Sequence, residues 1–132
     1  MPNVDRLYRA MMNDADGLPM LDESARTLGA RPQIDVPDDA ADDVESGTGG
    51  MSVAIGSPSA LPAHRRPPAL GGSGRDRVYS IGTGELGAEL RWRRDPVGPS
   101  GHGFIEPVRR MAFSDYQAAL WATRPHWEEV LP

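Results

Sequence analysis

The stretch GTGGMSVAIG, residues 47–56, decides how this chain is built. Three glycines within four residues end an acidic segment, and a short apolar run follows that is interrupted by one hydroxyl, Ser52. An apolar run bounded by glycines is typical of a buried strand, so we predict a strand over residues 51–55. Ser52 then has two interpretations. Its hydroxyl bonds to the backbone, or it orients a second molecule that the flanking glycines allow to approach closely.

The composition predicts one domain spanning residues 1–132 with much of its length in loops, because Gly 15 and Pro 13 exceed a fifth of the chain. With no Cys there is no disulfide or thiolate site, and the three histidines are too dispersed for metal-ligand spacing. No apolar stretch is long enough for a bilayer and no signal peptide is visible, so we expect a cytoplasmic protein. The net charge of −5 argues against stable nucleic-acid binding.

The spacing of apolar residues outside residues 47–56 predicts further strands and one clear helix. Residues 77–82, 88–94 and 102–107 read as strands, whereas residues 4–12 fit either a helical stripe or a first strand. Residues 21–29 read as a short helix that stops at Gly29. Ser114 and Gln117 form a capping box for a helix of about 115–123, after which Trp127 is expected to pack on the sheet.

Two long loops complete the predicted domain. Residues 34–50 carry six acidic residues and no basic one, which indicates a solvated acidic loop. Residues 57–76 are rich in Pro and Gly with a basic centre at residues 64–66, and loops of this length in a compact domain are functional or disordered. Together the elements predict an α+β domain with a small strand-rich core, two long loops and a capped C-terminal helix.

Four positions outside the glycine stretch could carry chemistry. His102 lies between two glycines at a strand start, and Glu106 shares its strand face because side chains repeat every second residue. The pair suits acid–base chemistry or ribose binding, although a salt bridge from Glu106 to Arg109 or Arg110 is the ordinary alternative. If residues 4–12 form a helix, Arg9 is an ordinary surface charge. If they form a strand, Arg9 needs an anionic partner. The patch at residues 64–66 is solvated or contacts ligand phosphates.

Familiar catalytic motifs are absent, including GxxxxGK, GxSxG, HExxH and a GxGxxG that opens a helix. In their place the chain contains LYRA near its start, GGMSVA in the middle, HGFIEPVRRM late and a closing helix that ends in Trp. This order resembles the small ADP-ribosyltransferase-like toxins typified by the second type VI secretion exported effector. The similar motifs are short but are spread over nearly the whole chain. This sequence differs from the family at Met51 and in the loop of residues 57–76.

The resemblance implies a split β-sandwich of the ADP-ribosyltransferase type with NAD in the cleft between its halves. Arg9 and Tyr8 would contact NAD, His64 and Arg65 would bind its phosphates, and Ser52, His102 and Glu106 would be catalytic. Glu85 and Glu89 compete with Glu106 as the late glutamate. The chemistry requires no metal, because a carboxylate stabilises the oxocarbenium ion that forms on the ribose.

The function implied is a bacterial toxin that cleaves NAD and either transfers ADP-ribose to an unknown macromolecule or hydrolyses NAD. Such a toxin acts in the cytoplasm, is delivered by a secretion system without a signal peptide, and has an immunity protein or antitoxin that the acidic loop could contact. A non-enzymatic binding module on the same fold is the alternative, and a ribonuclease toxin is a further one. The enzyme hypothesis requires Ser52, His102 and Arg9 to converge on one ligand.

Overall fold

The protein is a small α+β domain with an antiparallel sheet and one C-terminal helix, seen in a computed structural model that describes residues 5–32, 34–36 and 43–132. The order along the main sheet is β5-β6-β3-β1-β4-β8, and β2 pairs with β7 in a separate two-stranded sheet. The strands are β1 (Arg6–Met11), β2 (Asp43–Val44), β3 (Met51–Ile55), β4 (Arg77–Gly82), β5 (Leu90–Arg94), β6 (His102–Pro107), β7 (Met111–Ala112) and β8 (Glu128–Glu129). The α-helix of the described residues is α1 (Phe113–Ala122).

The predicted strands at 51–55, 77–82, 88–94 and 102–107 are all present, and the ambiguous first segment is a strand. Alternation explains their arrangement, because Leu7, Met51 and Ile105 point to one face and are fully buried. That face packs on Tyr116 and Leu120 of α1. Trp127 also joins this core, as expected for the residue that follows the last helix.

The start of α1 differs from the predicted capping box. The residue that precedes the helix is Ala112, whose side chain caps nothing, and Ser114 lies inside the first turn. Gln117 instead pairs with the backbone of Ala30: its Oε1 accepts from the Ala30 N–H at 2.8 Å and its Nε2 donates to the Ala30 carbonyl at 3.0 Å. Gln117 of the helix therefore binds the distant loop at Ala30 and does not take part in an N-terminal capping box.

The predicted helix at residues 21–29 is wrong. The segment forms turns, with a single bridge between Leu21 and Leu28. Its carbonyl groups are not available to a helix, since those of Ser24, Thr27 and Gly29 accept hydrogen bonds from the side chain of Arg9. A tertiary contact thus overrides the local pattern.

The loop of residues 57–76 is ordered by three short 3₁₀ turns, at Pro58–Ala60, Ala63–Arg65 and Pro68–Leu70. Arg66 holds this loop internally by donating to the carbonyls of Leu61 and Leu70, so only part of the predicted basic patch is solvated.

The acidic loop differs from its prediction as well. It contains β2, and residues 37–42 of it lie outside the described part of the chain. Within the described residues no helix is long and apolar enough to cross a membrane.

Candidate functional site

The sheet opens between its two central strands. β1 pairs with β4 over six residue pairs, from Arg6↔Gly82 to Met11↔Arg77, but it pairs with β3 at only two, Leu7↔Ile55 and Tyr8↔Ala54. From Arg9 onward the two strands separate, and a cavity of about 190 Å³ lies at this separation. It is lined by Arg9, Ala10, Ala25, Arg31, Asp35, Ser52, Val53, Ala54, Ala60, Leu61, Pro62, Arg65 and His102.

Arg9 spans the gap between the separated strands. Its Nη1 donates to the carbonyl of Ser52 at 2.7 Å, its Nε donates to Thr27 at 3.0 Å, and its Nη2 donates to the carbonyls of Ser24 and Gly29. The residue is 6% exposed, and burial lowers the pKa of Arg9 to about 10, which leaves the guanidinium charged at neutral pH. Arg9 forms no salt bridge among the described residues. Its direct partners are backbone carbonyls, and the nearby negative charge of Asp35 partly offsets the lowering of its pKa.

Ser52 lies on the opposite wall of the cavity and is partly exposed to it. Its side-chain hydroxyl makes no hydrogen bond to any residue in the described ranges, so the backbone bond considered for it is not formed there. Its carbonyl accepts a hydrogen bond from Arg9. The hydroxyl is therefore available to a molecule in the cavity.

The glycines before Ser52 make room for the chain itself. The Gly50 N–H donates to the Asp35 carbonyl at 2.7 Å, and a Cβ on Gly50 (φ +144°) would lie 2.5 Å from the carbonyl oxygen of Ile105. A Cβ on Gly49 would likewise lie 2.4 Å from the Asp35 carbonyl oxygen. The groups that approach these glycines closely are thus backbone atoms of Asp35 and Ile105 and not a second molecule. They fix the start of β3.

Asp35 is a carboxylate in the cavity wall that the pattern of the sequence does not single out. Its side chain is 7% exposed and forms a salt bridge with Arg31, whose Nη2 lies 2.9 Å from Oδ1. The Arg31 N–H also donates to Asp35 Oδ2, at 2.7 Å. The only sequence signal for it was membership of the acidic segment, where six similar residues look equivalent.

His102 begins β6 and lines the cavity from the same sheet face as Ser52. The register pairs Ser52 with Phe104 and Ala54 with His102, so Ser52 and His102 are diagonal neighbours with Cα atoms about 7–8 Å apart. The Nδ1 of His102 lies 2.8 Å from Oδ2 of Asp95. Asp95 begins the turn DPVGPSG, residues 95–101, and the sequence pattern did not predict it as part of a site.

Glu106 lies away from the cavity, about 13 Å along β6 from His102. It is fully buried, and its carboxylate accepts from Arg93 Nε at 2.8 Å, from Arg91 Nε at 2.7 Å and from the Gly47 N–H at 2.9 Å. Burial raises the pKa of Glu106, but these donors outweigh burial and hold it below its ordinary value.

Arg109 and Arg110, which were considered as salt-bridge partners of Glu106, bind other carboxylates. Glu85 and Glu89, which were considered as alternative catalytic glutamates, are also paired with other residues. Arg109 pairs with Glu89 and Arg110 pairs with Asp43. Glu85 pairs with His126, so neither competing glutamate is among the residues that line the cavity. Within the described chain, the cavity wall contains one carboxylate, that of Asp35.

A second cavity, of about 340 Å³, adjoins the first and shares Ala10, Ala25 and Arg65 with it. His64 and Arg65 both line it, together with Arg26, Ser73, Gly74, Arg75 and Asp76. Tyr8 is half-buried on β1 beside Ala54 and is not part of either lining. Five of the seven predicted site residues therefore border the two adjoining cavities, and Tyr8 and Glu106 do not.

Comparison with known protein families, with curated proteins and with solved structures finds no match for this chain. Among the described residues no group of three His, Asp or Glu side chains is placed to hold a metal ion.

Proposed function

We propose that the protein is an ADP-ribosyltransferase-like bacterial toxin that cleaves the nicotinamide–ribose bond of NAD. In this proposal the fold is a split β-sandwich, and NAD lies in the cleft between its halves. The observation that carries the proposal is the separation of β1 from β3, with Arg9, Ser52, His102 and Arg65 around one cavity. A cleft between two central strands, lined by cations and a free hydroxyl, suits a phosphate-bearing ligand.

The charges around the cavity support an anionic ligand. A buried charge is unfavourable unless it is paired, and Arg9 has four carbonyl partners and the charge of nearby Asp35, which is itself paired with Arg31. Arg65 adds a second cation, which donates one long hydrogen bond, 3.3 Å, to the Ala25 carbonyl and borders both cavities. A pyrophosphate between these two guanidinium groups would neutralise both.

The sizes of the two adjoining cavities leave room for a ligand that extends through both of them. The first cavity alone is smaller than the roughly 300–1,000 Å³ typical of ligand pockets, but the two adjoining cavities together fall within that range. We propose that the nicotinamide end of NAD lies at Ser52 and that the adenosine end extends toward His64 and Arg65.

The remaining chemistry requires stabilisation of positive charge on the ribose. Rupture of the glycosidic bond produces an oxocarbenium-like sugar, which a nearby carboxylate stabilises. Asp35 is the carboxylate of the described cavity wall, so we assign this role to Asp35, whose salt bridge with Arg31 must then open toward the ribose. The nucleophile is a hydroxyl of a macromolecular acceptor or water, and the first case is transfer whereas the second is NAD hydrolysis.

A toxin of this kind acts in the cytoplasm of the cell that it enters and requires a neutralising partner in the cell that makes it. We propose that this partner is an immunity protein or antitoxin that covers the cavity, and that a secretion system, such as a type VI system, delivers the toxin.

A second candidate, a non-enzymatic binding module on the same fold, is favoured by one observation. Glu106, the glutamate expected to be catalytic, has both carboxylate oxygens engaged by two arginines and a backbone N–H. A module that binds a nucleotide without cleaving it would retain Arg9 and Arg65 but would not need a catalytic carboxylate.

The test is expression in a bacterial host of the wild-type protein and of Ser52→Ala and His102→Ala, with growth and cellular NAD followed together. Ser114→Ala and His126→Ala are matched controls, because both residues are exposed and lie outside the cavities. We expect growth arrest with the wild type and both controls, and normal growth with the two cavity variants at equal expression. A fall in NAD indicates hydrolysis, whereas arrest at constant NAD indicates a modified acceptor. Normal growth and unchanged NAD with all five proteins would contradict the toxin and favour the binding module.

A further inference from the structure

The carboxylate of Asp95 is fixed from both of its oxygens. Oδ1 accepts from the Val97 N–H at 3.0 Å, and Oδ2 lies 2.8 Å from Nδ1 of His102. The backbone adds a third link, because the Asp95 N–H donates to the His102 carbonyl at 3.0 Å. The turn between β5 and β6 therefore holds the carboxylate against one nitrogen of the imidazole.

The imidazole of His102 is also held by its ring neighbour. It meets the edge of Phe104 with the ring centroids 5.0 Å apart and the planes at 72°. Arg93 covers Phe104, with its Cζ 5.1 Å from the ring centroid, and is itself fixed by Glu106. This chain of contacts leaves the Nε2 of His102 as the nitrogen without a partner in the described chain, on a residue that lines the cavity.

We propose that Asp95 is a positioning residue that holds His102 with its proton on Nδ1, so that Nε2 accepts a proton from the attacking hydroxyl in the cavity. The inference rests on the proposed NAD cleavage. As the hydroxyl oxygen bonds to the ribose C1′, the bond from C1′ to the nicotinamide nitrogen breaks and its electron pair leaves with nicotinamide. The hydroxyl proton passes to Nε2 of His102, and no other reactant is needed.

The electrostatics agree with this arrangement. The Val97 N–H, together with the hydrogen bond to His102, holds the pKa of Asp95 below its ordinary range, so the carboxylate is ionised and accepts at neutral pH. An imidazole whose Nδ1–H faces a carboxylate presents Nε2 as an acceptor and is stabilised when it gains a proton there. The cavity that His102 lines also carries Arg9, Arg31 and Arg65 as cations and Asp35 as an anion.

The test is Asp95→Asn in the full chain, measured by steady-state NAD cleavage and by ¹⁵N NMR of the histidine ring nitrogens. Asparagine keeps an oxygen for the Val97 N–H, but its NH₂ group donates to Nδ1 and so moves the ring proton to Nε2. We expect kcat to fall about 100-fold or more with little change in KM, since the general base is lost and binding is not. The His102 signals should change from an Nδ1–H to an Nε2–H pattern.

Two further variants separate positioning from stability. Asp43→Asn makes the same chemical change at an exposed ion pair with Arg110, and it should leave kcat and the NMR pattern unchanged. Gly98→Ala keeps Asp95 but places a Cβ 2.2 Å from its Oδ2, so it should displace the carboxylate and lower kcat.

Retention of kcat within threefold by Asp95→Asn, or an unchanged His102 tautomer, would overturn the proposal. A fall in kcat that merely follows a fall in folded fraction, with the tautomer intact, would also overturn it. If the wild-type protein cleaves no NAD, the proposed function fails, and the NMR comparison alone decides whether Asp95 sets the His102 tautomer.

Discussion

The Nη1 of Arg9 on β1 donates a 2.7 Å hydrogen bond to the carbonyl of Ser52 on β3, across the gap where the two strands no longer pair. Four of the five guanidinium N–H groups bind backbone carbonyls, which leaves one N–H on Nη1. Arg9 therefore joins the two walls of the cavity and still presents a donor and a positive charge to it. The side chain of Arg9 thus both holds the separated strands and lines the cavity in which we propose that the ligand binds.

Replacing Arg9 by Met should destabilise the fold and not only weaken binding. The substitution keeps much of the side-chain length but removes the Arg9 hydrogen bond from each of four carbonyls, and hydrogen bonds to a charged group contribute about 1.5–3 kcal/mol each at most. We expect the free energy of unfolding in urea to fall by about 3 kcal/mol, whereas Arg110→Met, at an exposed ion pair, should change it by less than about 1 kcal/mol. Equal stability of the two variants would contradict the bridging role.

Gly50→Ala should be far more harmful than alanine at two other glycines. A Cβ at Gly50 would lie 2.5 Å from the Ile105 carbonyl oxygen, and its φ of +144° is unfavourable for any side chain. Gly56 has a positive φ of +82° but open space, and Gly84 has neither constraint. Thermal unfolding should therefore rank the losses as Gly50 first, Gly56 second at about 1–2 kcal/mol, and Gly84 last. An equal loss at Gly50 and Gly56 would show that the contact with Ile105 is unimportant.

The strands could be predicted because their pattern is local. In residues 51–55 the side chains of Met51, Val53 and Ile55 point to the buried apolar face, whereas Ser52 and Ala54 point to the other face of the sheet. Glycines precede and follow this strand. The helix at residues 21–29 could not be excluded in the same way, because the side chain that captures its carbonyls belongs to Arg9, a dozen or more residues earlier. Local propensity does not include such a partner.

The site could be predicted only where the sequence itself was unusual. Ser52 follows the glycine-rich stretch by two residues, His102 lies between Gly101 and Gly103, and both line the cavity. Asp35 and Asp95 were missed because their roles come from side-chain pairs that the hydrophobic pattern does not reveal, with Arg31 four residues earlier and with His102 seven residues later. An Asp-Pro turn followed seven residues later by a histidine was the one available signal for Asp95, since a hairpin places the two side by side. Glu106 shared a face with His102 as predicted, but its arginine partners lie on β5.

Glu106 should contribute stability that depends on pH. Its pKa is lower in the folded protein than in the unfolded chain, so the contribution is present above the unfolded value of about 4.3 and is lost as pH falls through the folded value. Unfolding free energies of the wild type and Glu106→Gln should differ by about 1.5–3 kcal/mol at pH 7 and converge as the pH falls below 4. Glu89→Gln, at an exposed ion pair, should show little difference at either pH. A constant gap for Glu106→Gln across this range would contradict the assignment.

Arg65 should contribute to anion binding without supporting the fold. It makes one long hydrogen bond and borders both cavities, so Arg65→Ala removes a cation from the proposed phosphate position at little structural cost. We expect calorimetric titration with pyrophosphate to give about tenfold weaker binding, equivalent to about 1.4 kcal/mol, with an unchanged unfolding temperature. Arg94→Ala is the matched control, because Arg94 is exposed on β5 and lines neither cavity. Binding should also weaken as salt is added, and less steeply in Arg65→Ala than in the wild type. If Arg65→Ala and Arg94→Ala bind pyrophosphate equally well, the phosphate of the ligand does not lie between the two cavities.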